Sequence, residues 1–127
     1  MKTSRVHLIL YVRDQAASAR FYRAVLLSEP TLDVPGMTEF ELSDTTVLGL
    51  MPEAGAVRLL GRDHDPARAD RAPRAELYLV VDDPSGPHGR AIASGGTEVS
   101  PIAPRDWGHD VGYCLDPDGH VLAFARR

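Results

Sequence analysis

At 127 residues, with 43% hydrophobic and 25% charged side chains, the chain has the length and composition of one soluble globular domain with a real core. Its net charge is −4 and its arginines are scattered, which excludes the basic stripe that nucleic-acid binding requires. No apolar run approaches the roughly 18 residues of a membrane span, and the one cysteine, Cys114, cannot close an intrachain disulfide.

Met1-Lys2-Thr3 leads directly into a strand pattern, so no signal peptide is expected and the expected location is cytoplasmic. Val6 to Val12 reads as a buried strand, with His7, Ile9 and Tyr11 on one face and Val6, Leu8 and Leu10 on the other. Asp14 is a candidate N-cap for a helix from Gln15 to Leu27. Ala17, Phe21, Ala24 and Val25 make its apolar stripe, and Arg20 and Arg23 its wet side. Ser28-Glu29-Pro30 ends that helix. Thr31 to Val34 is a weak strand stopped by Pro35-Gly36, and Thr38 to Leu42 and Thr46 to Met51 follow as strands around the turn Ser43-Asp44-Thr45. The first unit, about residues 5–51, is therefore β-α-β-β-β.

Residues 52–74 hold no sustained period and read as a connector, either a solvated linker or partly a lid. Ala75 to Val81 opens a second unit, about 75–127. Asp83 and Pro84 can start a helix that Gly86 and Pro87 weaken, so its best part runs from His88 to Ser94, before Gly95-Gly96. Thr97 to Ile102 is the next strand, and Ala103-Pro104-Arg105-Asp106 a loop. The chain closes on two alternating runs around Asp116-Pro117-Asp118-Gly119, whose residue types suit a type I turn. The second unit is again β-α-β-β-β. The match is residue by residue: the run Val6–Asp14 lies over Ala75–Asp83, pairing His7 with Glu76, and Thr46–Leu50 lies over His120–Phe124, pairing Gly49 with Ala123.

These features, with Phe21-Tyr22 in the first helix and Trp107-Gly108 leading to Asp116-Pro117-Asp118-Gly119-His120, resemble the vicinal oxygen chelate superfamily over nearly the whole chain. That superfamily includes glyoxalase I, extradiol dioxygenases and bleomycin- and fosfomycin-resistance proteins. The resemblance implies an α+β domain in which two βαβββ units form a curved mixed sheet around a pocket, and a homodimer paired through edge strands. In metal-using members the first and fourth strands of each unit supply His, Gln or Glu ligands to a divalent ion that stabilises an oxyanion.

His7 and Glu76 stand at the first-strand ligand positions, and both suit Zn, Fe, Mn or Ni. Gly49 and Ala123 stand at the fourth-strand positions and carry no donor; their neighbours Leu48, Leu50, Leu122 and Phe124 carry none either. Two ligands without a third make a poor metal site, so no metal cofactor is expected. The reading is a small-molecule-binding or sequestering protein whose pocket uses His7, Tyr11, Glu76, Tyr78, Trp107 and Tyr113 around a small organic ligand. Two alternatives stay open. One is a divalent-metal-dependent lyase, isomerase or dioxygenase with His7, Glu76 and a third ligand from the connector or a partner chain. The other is metal-free acid–base catalysis by His7 and Glu76. His109, Asp110, Asp116 and His120 cluster near the final hairpin, with His120 expected to face solvent. Asp63-His64-Asp65 reads as solvated loop, and Cys114 as a small buried side chain.

Overall fold

A computed structural model describes residues 1–70, 72–73 and 75–127. Arg71 and Arg74, at the end of the expected connector, lie outside the described residues. The contacts divide the chain into two compact units, one of Met1–Arg23 with Leu27–Asp70 and one of Ala24–Leu26 with Arg71–Arg127.

The first unit contains strand β1 (Val6–Val12), most of helix α1 (Gln15–Leu26), then β2 (Leu32–Val34), β3 (Met37–Ser43), β4 (Thr46–Pro52) and helix α2 (Glu53–Leu60). Its sheet runs β1-β4-β3-β2, with β1 parallel to β4 and the other neighbours antiparallel. Leu10, Val12, Phe40, Leu48 and Leu50 fill the covered face of that sheet, and Tyr22 of α1 meets Phe40 there. The opposite face carries His7, Ile9 and Tyr11, as strand alternation requires. Asp14 caps α1 by accepting from the Ala17 N–H at 3.0 Å. The helix ends on Leu27 in the left-handed conformation, φ 49° and ψ 46°, a place usually taken by glycine.

The stretch from 52 to 74 is more regular than its composition suggests. Pro52 closes β4, and Glu53–Leu60 is a helix. Its first four residues are Glu, Ala, Gly and Ala, and the buried pair Gly55 and Ala56 lets it approach the sheet closely. Gly61, at φ 91°, stops it by giving its N–H to the Val57 carbonyl. Short 3-10 turns follow at Arg62–His64 and Pro66–Arg68. A helix this short leaves too few turns for its period to show against Pro and Gly flanks.

The second unit contains β5 (Glu76–Val80), α3 (Ser85–Ala93), β6 (Thr97–Pro104), β7 (Asp110–Leu115) and β8 (Val121–Arg126). Its sheet order is β5-β8-β7-β6, the same plan as the first. The repeat register holds at ladder level: Ile9 pairs with Gly49 and Tyr78 with Ala123. The expected α+β architecture of two βαβββ units is present as two four-stranded mixed sheets, and the described ladders pair strands within each unit. Helix α3 begins three residues earlier than expected, at Ser85. Asp83 accepts from both the Ser85 N–H, at 3.0 Å, and its hydroxyl, at 2.6 Å, and this local capping outweighs Gly86 and Pro87. Strand β6 runs to Pro104, past the expected Ile102, and carries two register shifts, between Glu98 and Ser100 and between Ser100 and Ala103. Among the described residues no helix is long and apolar enough to cross a membrane.

Candidate functional site

Alternation along β5, β8 and β7 sends Leu77, Leu79, Leu122, Phe124 and Cys114 to the face that α3 covers. There His88 meets Phe124 edge-on, and its Nε2 lies 2.8 Å from Glu98. Burial pushes the Cys114 thiol up to about 11, and the negative charges of Asp116 and Glu98 add to the effect. Cys114 is thus the inert small side chain that its sequence setting suggests.

The other face carries Glu76 and Tyr78 from β5, Val121, Ala123 and Ala125 from β8, and Val111, Tyr113 and Leu115 from β7. Tyr78, Ala123 and Tyr113 form one ladder row, and both tyrosines pack on the buried cluster of Val111, Ala123 and Ala125. The β6–β7 connection then folds back over this row. The Arg105 N–H donates to the His109 carbonyl at 2.8 Å, the Gly108 N–H to the Arg105 carbonyl at 3.1 Å, and Gly108 takes φ 90°. This tight turn presents Trp107, which stays 55% exposed although its indole Nε1–H donates to the Tyr78 hydroxyl at 3.0 Å. The same hydroxyl lies 2.6 Å from His109 Nδ1.

Arg105 fixes the turn from below. Its Nε and Nη2 donate to the Val111 carbonyl, and Nη2 also reaches Ser100 Oγ at 2.8 Å and the Pro101 carbonyl at 3.0 Å. The register shifts in β6 aim Ser100 at this guanidinium. The Arg105 guanidinium carbon lies 5.1 Å from the centroid of the Tyr113 ring. Partial burial raises the Tyr113 hydroxyl pKa, the Glu76 carboxylate raises it further, and Arg105 opposes both, with Tyr78 adding a smaller increase.

Of the residues expected at a pocket, Glu76, Tyr78, Trp107 and Tyr113 therefore share one surface of the second unit, with Tyr78 and Trp107 directly bonded. His7 and Tyr11 lie on the first unit, in a separate sheet, so no ladder row holds both His7 and Glu76. Sequence reasoning missed Arg105, and gave His109 no link to Tyr78. The signal was available in part: a hairpin turn starting at Arg105 returns His109 to the end of β7, one strand from β8 and two from Tyr78.

On the first unit, His7 Nδ1 lies 3.4 Å from Glu39 Oε2, a carboxylate the sequence reading did not select. Its signal was Glu39 and Glu41 alternating with Phe40 on a strand that pairs with β4. Glu41 is held at 2.8 Å by Arg5. Gly49 lies in the row Ile9–Gly49–Glu39, and a Cβ placed there would run into Ile9 Cδ1 and come within 3.2 Å of Met37 Sδ. The fourth-strand ligand position is thus filled by apolar neighbours, as Ala123 is buried beneath two tyrosines. No third His, Cys, Asp or Glu joins His7 and Glu39 among the described residues. The donor set does not fit the superfamily's metal ion.

The group of three donors that does come together is Asp116, Asp118 and His120 at the final turn. There the buried Asp116 carboxylate accepts from the backbone N–H of Asp118 and of His120, and lies 2.9 Å from His120 Nδ1. His120, expected to face solvent, is 31% exposed at its side chain and folds back on that carboxylate. Asp63 and His64 are exposed, and Asp65 caps the turn at Pro66–Arg68 through the Ala67 N–H. A shallow cleft of about 520 Å³ beside α1 is bounded by Gln15, Arg20, Arg23, Asp33 and Pro35. Arg23 there is already paired with Glu29 and Asp33.

Residues 3–125 match the family described as the glyoxalase-like domain. Among solved structures, a glyoxalase-related enzyme from Fulvimarina pelagi superposes with a TM-score of 0.83 at 23% identity, over 100% of this chain and 89% of its own. A glyoxalase/bleomycin resistance protein/dioxygenase family enzyme from Burkholderia phytofirmans superposes with a TM-score of 0.80 at 18% identity, over 94% and 95% of the two chains. At these identities the superpositions speak for the fold. A curated relative, a tRNA N6-adenosine threonylcarbamoyltransferase from Desulfotalea psychrophila, is 32% identical over 102 residues. That alignment covers 80% of this chain but only 28% of the relative. On its matched residues and its fold, the chain belongs to the glyoxalase-like domain family, within the vicinal oxygen chelate superfamily.

Proposed function

We propose that this protein binds a small organic molecule without a resident metal, and that the binding surface is the aromatic face of the second unit. The observation that carries the reading is the chain of hydrogen bonds from Trp107 through Tyr78 to His109. It holds a half-exposed indole, a phenol and an imidazole in fixed relation over an apolar floor, which is the make-up of a small-molecule site. The alternative, a divalent-metal-dependent lyase, isomerase or dioxygenase using His7 and Glu76, is less well supported, because Gly49 and Ala123 offer no donor and the third ligand has to come from the connector or a partner chain. The proposal includes a homodimer, supported by β1 and β5 standing at sheet edges.

Two measurements test it. Purified without chelators, the protein is expected to hold no stoichiometric Zn, Fe, Mn or Ni. Stoichiometric metal that disappears in a His7→Ala/Glu76→Ala variant overturns the metal-free reading. In an NMR screen of aryl and alkyl fragments, the expected binders shift the Trp107 indole N–H and the His109 ring signals. If every binder shifts only residues elsewhere, the second-unit face is not the site.

A further inference from the structure

The hydrogen-bonding capacity left over on this face has a sign. An indole N–H only donates, so the Tyr78 oxygen accepts from Trp107. The contact of 2.6 Å between the Tyr78 oxygen and His109 Nδ1 is shorter than the usual N–H···O range and falls inside the O–H donor range. With the phenol hydrogen directed to Nδ1, as this contact length favours, the imidazole has its Nε2 left to donate. Trp107 and Tyr78 have then spent every donor they own, and His109 has a donor left.

Arg105 adds to this. Its hydrogen bonds use Nε and Nη2 and leave both hydrogens of Nη1 without a partner among the described residues. The Tyr113 hydroxyl likewise has no hydrogen-bond partner among them, and its raised pKa keeps it a proton donor through the physiological range. The open groups around the aromatic rings are thus Arg105 Nη1–H, His109 Nε2–H and Tyr113 O–H. Against them stands one carboxylate, Glu76, in the ladder row next to Tyr113 and on the same face. It is exposed. A screened exposed charge repels a neighbouring anion weakly, whereas a direct hydrogen bond from a guanidinium to a carboxylate is charge-assisted and among the strong ones. The contact outweighs the repulsion.

From this donor inventory we infer that the ligand is a planar aromatic carboxylate, its ring against Trp107 and the tyrosines and its carboxylate held by Arg105 Nη1, His109 Nε2 and Tyr113 Oη. The inference rests on the second-unit face being the binding surface and adds the chemical class of what binds there. Arg105 selects the anion, and Glu76 sets a mild bias against it.

The test uses three probes with one ring and three charges: benzoate, benzyl alcohol and benzylammonium. Each is titrated into the full chain while the Trp107 indole N–H and the His109 ring are followed by NMR. Benzoate is expected to bind at least about tenfold tighter than the other two. Arg105→Gln is expected to weaken benzoate about 10- to 100-fold and leave benzyl alcohol nearly unchanged. Glu76→Gln is expected to tighten benzoate about two- to fivefold. Because Arg105 also ties β6 to β7, its variant can fail to fold, and Tyr113→Phe then serves, with an expected loss of about three- to tenfold for benzoate alone. Benzylammonium or benzyl alcohol binding as tightly as benzoate, or benzoate binding untouched by these variants, overturns the carboxylate and leaves the binding face standing. If no probe moves Trp107 or His109, the binding face itself is overturned.

Discussion

Asp116 shows how one side chain can look like chemistry and act as structure. It is 4% exposed, yet its carboxylate receives two backbone N–H groups and the His120 ring, so the turn between β7 and β8 is tied from inside. Removing the acceptor takes three bonds away from partly buried donors and unties the turn, which costs about 1–3 kcal/mol. Asp116→Ala is therefore expected to lower the unfolding free energy by that amount, read as a fall in the denaturant midpoint at constant slope. Cys114 makes the complementary case. A pKa raised to about 11 means the folded state holds its proton more tightly than the unfolded chain, whose reference value is 9.0. The folded form then binds more protons between pH 9 and 11, so this contribution to stability is whole below about pH 9 and declines as pH rises through that window. At pH 8 the folded thiol is expected to resist alkylation until denaturant is added; rapid labelling of the native protein would contradict its burial. The burial of Cys114 was legible from sequence, and the tie that Asp116 makes was not. The Asp-Pro-Asp-Gly turn could be read directly, but which way the aspartate points depends on packing. His7 was legible as a strand residue sharing a face with Ile9 and Tyr11, while its partner Glu39 required knowing that β3 pairs with β4.

Elements differ in how plainly they announce themselves. The first and fifth strands were legible because β-branched and large apolar residues run without interruption, and their two faces follow from alternation alone. Helix α2 was hidden because eight residues between Pro52 and Gly61 give too short a window for a 3.6-residue period. Helix α3 was placed late because glycine and proline propensities were weighed without the bonds that Asp83 makes to Ser85. Its end, by contrast, was read from Gly95-Gly96, and the structure shows why the second glycine is needed. A Cβ on Gly96 would lie 2.7 Å from the Ala91 carbonyl oxygen and 2.8 Å from that of Leu115, both backbone atoms that cannot swing aside. Gly96→Ala is expected to destabilise the protein by about 1–3 kcal/mol, as overpacking does. The end of α1 predicts the opposite sign. Leu27 is 71% exposed and sits at φ 49°, so it gains little from burial while its Cβ strains the left-handed backbone. Leu27→Gly is expected to leave stability unchanged or raise it by up to about 1 kcal/mol, read as a shift in thermal midpoint. A clear loss would mean that the leucine side chain holds a contact worth more than the strain.

At the scale of the whole molecule the repeat was the most legible feature. The alignment that placed Gly49 over Ala123 gives the same row in both sheets, Ile9–Gly49–Glu39 in one and Tyr78–Ala123–Tyr113 in the other. One plan therefore carries two different contents. The first row closes an isoleucine over a glycine, and the second closes two tyrosines over an alanine. Small residues at the centre of each row leave room for the flanking side chains to pack over them, and the same small residues offer no donor to a metal. This division has a measurable consequence, because the chain's one tryptophan lies on the second unit's aromatic face. A ligand that binds only the folded form stabilises it by RT ln(1 + [L]/Kd), about 2.7 kcal/mol at one hundred times Kd. With benzoate at that excess, the thermal transition followed through Trp107 emission is expected to rise by several degrees in the native sequence. In Tyr78→Phe the indole and imidazole lose the hydroxyl that joins them, so affinity falls and the rise at the same benzoate concentration shrinks. An equal rise in both proteins would show that the ligand's hold does not depend on the bonded chain from Trp107 to His109.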